Sequence, residues 1–365
     1  MKIAFLADPL DTQIAGIHVF CKEVIKAMLK IDQQNQYFIV RANSSDDFAS
    51  AEELVFPINK RIPMHNRWRQ FTSIPKALNA LEPDVVLELA HFGPFGLKKS
   101  IKKATFIHDL TPILFPSFHS RSSNLMHRLL LPSIFKRADL ILCNSNCTKQ
   151  DVINFAPEAK NKTQVNYLGV NEIFKPTYDV KVLKKYKIET PYFLSVATLE
   201  PRKNLSTLIE AFDAYKETGG QEKLVLVGKK GWGIERLMQK INNSNHKKDI
   251  IITSYVDLED LPAIYSQAKS FVYPSYYEGF GLPVVEAMAC GCRLVVSNTS
   301  SLKEVGGDAA HYFDPHSVLD LGQKLFEVAN KPMNDEIRML LVQQGRYFKW
   351  ENTAIEMLDH LKALV

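Results

Sequence analysis

Short apolar runs of strand length recur along this 365-residue chain, and helical stripes fill the intervals between them. No other feature narrows the fold as much. A continuous apolar run has to be buried on both faces, and a parallel sheet with helices on either side provides that burial, whereas a sandwich would show alternating polarity. In the first half the runs predict strands at Lys2–Ala7, Tyr37–Val40, Val85–Leu87, Ala104–Ile107, Leu140–Cys143 and Gln164–Tyr167. Between them, His18–Leu29 carries Val19, Phe20, Val24, Ile25 and Met28 on one helical face, and Met126–Arg137 repeats the theme. The pattern restarts at Tyr192–Val196 and continues through Leu224–Val227, Ile250–Thr253, Ser270–Tyr273, Leu294–Val296 and Ala310–Phe313. The class is therefore α/β, with two doubly wound Rossmann-like domains expected at 1–175 and 176–345. The linker is placed at Phe174–Asp179, which is polar, holds a proline and lacks a period.

Composition fits two cores: 46% of residues are hydrophobic. The apolar run at Met1–Asp8 is too short for a signal peptide, and no segment approaches the roughly 18 apolar residues of a membrane span. The five cysteines read as reduced cytosolic thiols. Cys290, Cys292, Cys143 and Cys147 have no histidine at ligand spacing, so buried small hydrophobes outweigh a zinc site. Residues 1–180 hold 22 Lys and Arg against 17 Asp and Glu, while the rest of the chain is balanced. The basic clusters Lys60, Arg61, Arg67, Arg69 and Lys98, Lys99, Lys102, Lys103, with Trp68 and Phe71 beside the first, suit an anionic membrane surface. A solvated surface accounts for them equally well. No nucleic-acid motif accompanies the charge, so nucleic acid is not expected as a partner.

The stretch Pro274-Ser-Tyr-Tyr-Glu-Gly-Phe-Gly-Leu-Pro-Val-Val-Glu-Ala-Met-Ala-Cys-Gly291 joins a strand end, a glycine turn and a helix start. Gly279 and Gly281 allow a tight bend, and Pro283 suits the first helical position, where no N–H is needed. The N–H groups of Phe280, Gly281 and Leu282 then form an anion site of the kind a diphosphate fills. Glu278 lies before the turn, and Glu286 is expected in the first helical turn. Carboxylates beside a phosphate would repel it unless they bind hydroxyls, so Glu278 is assigned to the hexose and Glu286 to the ribose. The plain alternative makes Glu286 a partner of the helix dipole and Glu278 a solvated loop charge.

This segment resembles the signature of family-four retaining glycosyltransferases of the GT-B fold. So do Ser195-Val-Ala-Thr-Leu-Glu-Pro-Arg-Lys-Asn204, Val227-Gly-Lys-Lys-Gly-Trp232, Phe106-Ile-His-Asp-Leu-Thr-Pro112, Asn144-Ser-Asn-Cys-Thr148 and Val165–Pro176. The resemblance spans nearly the whole chain. It implies two sheet domains facing across a cleft, with the acceptor on the first, the nucleotide sugar on the second, and a final helix at 346–365 packing back towards the first. It makes His108 and Glu278 the catalytic pair, with Arg202 and Lys203 on the diphosphate and Tyr255 and Val256 at the base. Gly16 becomes the residue where donor or acceptor meets the backbone. Many relatives carry two glycines there, and Leu168 stands where they often carry asparagine.

The cations can neutralise the leaving group and no Asp-x-Asp is present, so the expected reaction needs neither metal nor cofactor. A nicotinamide site is excluded because Gly228, Gly231 and Gly233 have the wrong spacing. The expected function is hexose transfer, with retention, from a nucleotide diphosphate sugar to a glycan or lipid-linked acceptor. The segments around His108 and Gly228 are similar to those of bacterial mannosyl and rhamnosyl transferases, which favours GDP-mannose as donor. A nucleotide-sugar epimerase, a phosphorylase of the same fold and a non-catalytic nucleotide-sugar-binding scaffold are the alternatives. The expected location is cytoplasmic, with the basic half at the inner face of the membrane.

Overall fold

The computed structural model describes residues 1–12, 15–59, 61–62 and 64–365; Gln13 and Ile14 of the expected glycine loop, and Lys60 of the first basic cluster, lie outside the described residues. The chain divides into two compact units, Met1–Gly169 with Lys349–Val365, and Val170–Phe348.

In the first unit β1 (Lys2–Leu6), β2 (Gln36–Arg41), β3 (Glu52–Val55), β4 (Val85–Glu88), β5 (Lys102–Ile107), β6 (Leu140–Cys143) and β7 (Thr163–Val165) form a seven-stranded sheet in the order β3-β2-β1-β4-β5-β6-β7. Every pairing between them is parallel. The strand β3 has no counterpart in the expected set. Its sequence, Glu-Glu-Leu-Val, is half polar because it sits at a sheet edge, where one flank faces solvent. The expected helix at His18–Leu29 is longer at both ends, Ala15–Ile31, and buries Phe20, Val24, Ile25 and Met28.

The second unit repeats the plan. Its strands are β8 (Tyr192–Val196), β9 (Lys223–Val227), β10 (Ile250–Ile252), β11 (Ser270–Tyr273), β12 (Leu294–Ser297) and β13 (Ala310–Phe313). They run parallel in the order β10-β9-β8-β11-β12-β13. Phe193, Leu224, Leu226, Val272 and Val295 pack under Leu208, Phe212, Leu321 and Leu325 of the flanking helices.

Each sheet has one switch point, where successive strands depart in opposite directions: between β1 and β4, and between β8 and β11. Loops leaving the carboxyl ends of the two strands diverge there and leave a crevice, the usual ligand position in open α/β sheets.

The chain leaves the first unit at Gly169 rather than at residue 175, because Val170 N–H donates to Phe348 O at 3.0 Å and holds that segment within the second unit. The tail is two helices, Asp335–Gly345 and Trp350–Lys362, and only the latter belongs to the first unit. It packs on Ala15–Ile31 through buried Ala354, Met357, Leu358 and Leu361. Asn166 Nδ2 donates to Thr353 O at 3.0 Å, and Thr353 Oγ1 donates to Tyr167 O at 2.8 Å. The substitution Met357→Ala should therefore destabilise the first unit by about 2–5 kcal/mol. In urea unfolding followed by hydrogen exchange, protection should drop in β1 and β5 and persist in β8 and β11.

Candidate functional site

In the second unit, β8 ends at Val196 and its loop closes in a short turn, Pro201–Lys203. The neighbouring loop after β9 locks against it. Gly228 has φ +151°, and a side chain there would overlap the Ala197 carbonyl oxygen, so only glycine fits. On the other side of the switch point, Tyr276 N–H donates to Arg202 O at 3.0 Å, joining the β8 loop to the β11 loop.

These loops bring Arg202, Lys203 and Glu278 together. Lys203 Nζ lies 2.6 Å from Glu278 Oε1 and 2.9 Å from the Tyr273 hydroxyl. Arg202 Nη1 is 3.1 Å from Glu278 Oε2 and donates to Tyr277 O at 2.8 Å, while its Nη2 meets Glu200 Oε1 at 2.9 Å. Lys203 and Glu278 are both buried. Burial works to raise the Glu278 carboxyl, but the charges of Arg202 and Lys203 outweigh it and hold the group at about 2. Burial likewise lowers the Lys203 ammonium, with the attraction of Glu278 opposing it. The alternative reading of Glu278 as a solvated loop charge is thus overturned: its charge compensates two cations.

The glycine turn has the expected form. Gly281 adopts φ +102°, and a side chain there would come within 2.9 Å of Leu302 Cδ2. The helix Leu282–Ala289 follows, its opening N–H groups outside the intrahelical ladder as at any helix start. Two details differ. Pro283 is the second helical residue rather than the first, and Glu286 stands beyond the first turn. Glu286 is therefore no partner for the helix dipole. It accepts a hydrogen bond from the Tyr265 hydroxyl at 2.9 Å, and burial pushes its carboxyl up to about 7 against the pull of that bond. Sequence reasoning also missed Ser300 and Ser301. Glu278 N–H donates to Ser300 Oγ at 2.9 Å, and Ser301 Oγ bonds the carbonyls of Glu278 and Phe280 at 2.9 Å each. Tyr255 is largely exposed beside Gly228, with Lys229 Nζ 5.1 Å above its ring, and Val256 next to it is buried.

In the first unit His108 follows β5 and is buried. Its Nε2 is 2.8 Å from Leu89 O; a carbonyl only accepts, so the proton is on Nε2. Burial depresses the ring to about 4, which leaves it neutral. His108 O accepts from Asn144 Nδ2 at 2.8 Å, and His108 N–H donates to His91 Nε2 at 3.0 Å. Asp109 supports the loop by accepting from the amide and hydroxyl of Thr111 at 2.8 and 2.6 Å. Beside this loop, at the β1/β4 switch point, lies a cavity of about 480 Å³ whose lining includes Asp8, Glu88, His91, Phe92, Asp109 and His127.

One expectation needs correction. Arg69 is not part of a basic surface: its side chain is buried, ion-paired with Asp8 and bonded to Phe56 O at 2.8 Å. Gly16 lies in the helix Ala15–Ile31 with open space beside it among the described residues, since a side chain there would meet nothing within 4 Å. Among the described residues, no group of three or more His, Cys, Asp or Glu is placed to hold a metal ion.

Comparison with known proteins bears on the whole chain. The family described as Glycosyltransferase Family 4 matches residues 14–172, and Glycosyl transferases group 1 matches 181–347. The O-antigen chain mannosyltransferase B of Escherichia coli is 29% identical along the full length of both chains. Among solved structures, sucrose-phosphate synthase from Thermosynechococcus elongatus has a TM-score of 0.80 at 17% identity, over 100% of this chain and 99% of that one. Anabaena HepE, solved with UDP and glucose, gives 0.73 at 16% identity over the whole of both. The two parallel sheets and these matches define the GT-B fold. Within that class, the chain belongs to the family-four, group 1 glycosyltransferases.

The raised Glu286 carboxyl has a measurable consequence. Folding favours its protonated form, so its contribution to stability is complete below about 4.5 and lost as pH rises through about 7. In thermal unfolding across that window, Glu286→Gln should match the wild type at low pH and melt a few degrees higher above neutrality. Parallel curves would contradict this assignment of the carboxyl.

Proposed function

We propose that this glycosyltransferase moves a hexose, mannose by preference, from a nucleotide diphosphate sugar to a growing glycan or lipid-linked acceptor, with retention and without a divalent metal. The observation that carries the proposal is the paired cluster of half-buried Arg202 with buried Lys203 and Glu278 at the β8/β11 switch point, next to the Leu282–Ala289 helix start. Both cations are paired with one carboxylate. A diphosphate arriving at the helix start offers them a second anion, and Glu278 remains able to accept sugar hydroxyls through its other lone pairs. Charge that develops on the leaving diphosphate falls to Arg202, Lys203 and the N–H groups of Phe280, Gly281 and Leu282. Glu286 takes the ribose hydroxyls, and Tyr255 and Val256 border the base.

His108 is assigned to the sugar face in the first unit. The bond from the anomeric carbon to the leaving phosphate oxygen breaks as the acceptor oxygen bonds on the same face. The acceptor's proton passes to the departing phosphate. The 480 Å³ cavity, inside the range of about 300–1,000 Å³ typical of small-molecule pockets, takes the acceptor saccharide, with Phe92 as an apolar wall and Asp8 and Asp109 for hydroxyls. GDP-mannose is favoured because the full-length relative in Escherichia coli is named a mannosyltransferase. No helix among the described residues is long and apolar enough to cross a membrane. Exposed Trp68, with exposed Arg61 in the segment just before it, offers instead a contact for an anionic lipid surface.

Incubation with GDP-mannose should release GDP slowly without acceptor, and faster than UDP-glucose releases UDP. Lys203→Ala should raise donor KM and cut turnover by about a hundredfold or more, while Glu286→Ala mainly raises donor KM. Excess EDTA should leave the rate unchanged. Loss of activity restored by manganese would rule out the metal-free scheme, and wild-type kinetics in both variants would rule out the site. Trp68→Ala should weaken co-flotation with phosphatidylserine vesicles; equal flotation would remove the lipid face.

A further inference from the structure

We propose that His91 is a positioning residue for sugar transfer: it completes the hydrogen bonding of the His108 backbone where the sheet runs out, and so sets the loop that presents His108. The inference rests on the assignment of His108 to the transferred sugar.

The need for such a residue comes from the sheet. Strand β5 is paired with β4 as far as Glu88 and Thr105, and the chain then bends away. One more backbone bond, His91 N–H to Phe106 O at 3.2 Å, keeps the departing segment alongside β5. Beyond it the buried His108 N–H has no strand opposite, and a buried amide left without an acceptor costs about 1–3 kcal/mol. The imidazole of His91 takes the place of the missing strand. Its Nε2 accepts the His108 N–H at 3.0 Å, and the two rings stack with centroids 5.3 Å apart and planes within 20°.

The grip is two-sided. From beyond β4, Leu89 O receives the His108 ring proton and His91 receives the backbone proton; from beyond β6, Asn144 holds the His108 carbonyl. These bonds leave Nδ1 as the ring atom of His108 outside the network. Accepting at Nε2 puts His91's own proton on Nδ1 and requires a neutral ring. Burial secures that state by lowering the group to about 3.

The position is also costly. His91 has φ +75°, in the left-handed region that glycine or asparagine would occupy with less strain. A smaller residue would relax the turn but leave the amide unpaired. The residue found there satisfies the loop at the expense of its own backbone.

The test compares two variants that the backbone tolerates. Asparagine suits the left-handed turn, yet its side chain stops short of the Nε2 position; glutamine can place an oxygen there. His91→Asn should lower kcat about tenfold to a hundredfold with donor KM unchanged, and His91→Gln should recover most of the loss. Circular dichroism melting and GDP binding should show both variants folded. A wild-type kcat in His91→Asn, a loss in His91→Gln as deep as in His91→Asn, or an effect confined to acceptor KM would overturn the inference. His108→Ala, run in parallel, separates it from its foundation. An inactive His108→Ala beside a fully active His91→Asn refutes only the role of His91, whereas full activity in His108→Ala refutes the assignment of His108 itself.

Discussion

A buried lysine cannot keep its charge alone, and the candidate donor site is organised around that constraint. Lys203 lies within the carboxyl-end loops of a parallel sheet, where desolvation disfavours the ammonium. Glu278 makes the position tenable, and Arg202, itself paired with Glu200, allows Glu278 to stay ionised in turn. Two carboxylates and two cations are thus paired at one junction. Breaking a buried pair by removing one partner costs far more than the pair contributes net. The β8 and β11 loops are consequently fixed to each other before any ligand arrives.

Much of this was legible in the sequence. Among the described residues, apolar runs without alternation located twelve of the thirteen strands, the central ones because they are buried on both faces, and only the half-polar edge strand β3 escaped. The glycine turn could be read for a similar reason: Gly281 has a stereochemical need that no other residue meets. Arg202, Lys203 and Glu278 were recognised as a group through resemblance. Their pairing with one another was not, because contact between residues about 75 positions apart depends on which strands neighbour in the sheet.

The errors share a cause. Arg69 reads as surface charge because arginine usually is, and only the fold reveals Asp8 and the Phe56 carbonyl around its guanidinium. Glu286 was misplaced by the helix start, and a shift of one residue changes which turn a side chain occupies. His91 carries no local signal at all. Its role is created where β4 stops pairing with β5, a property of two strands and not of one segment.

The helix Trp350–Lys362 gives the chain an uneven history. The second unit is a single uninterrupted stretch, whereas the first needs its opening 169 residues and its last 17. As the polypeptide emerges from the ribosome, the later-encoded unit can mature first. The earlier one must wait, the side of its Ala15–Ile31 helix that receives Met357 and Leu361 still uncovered. Residues 349–362 must be made before that surface is sealed, so an amino-terminal half that is still alone carries an uncovered apolar helix face.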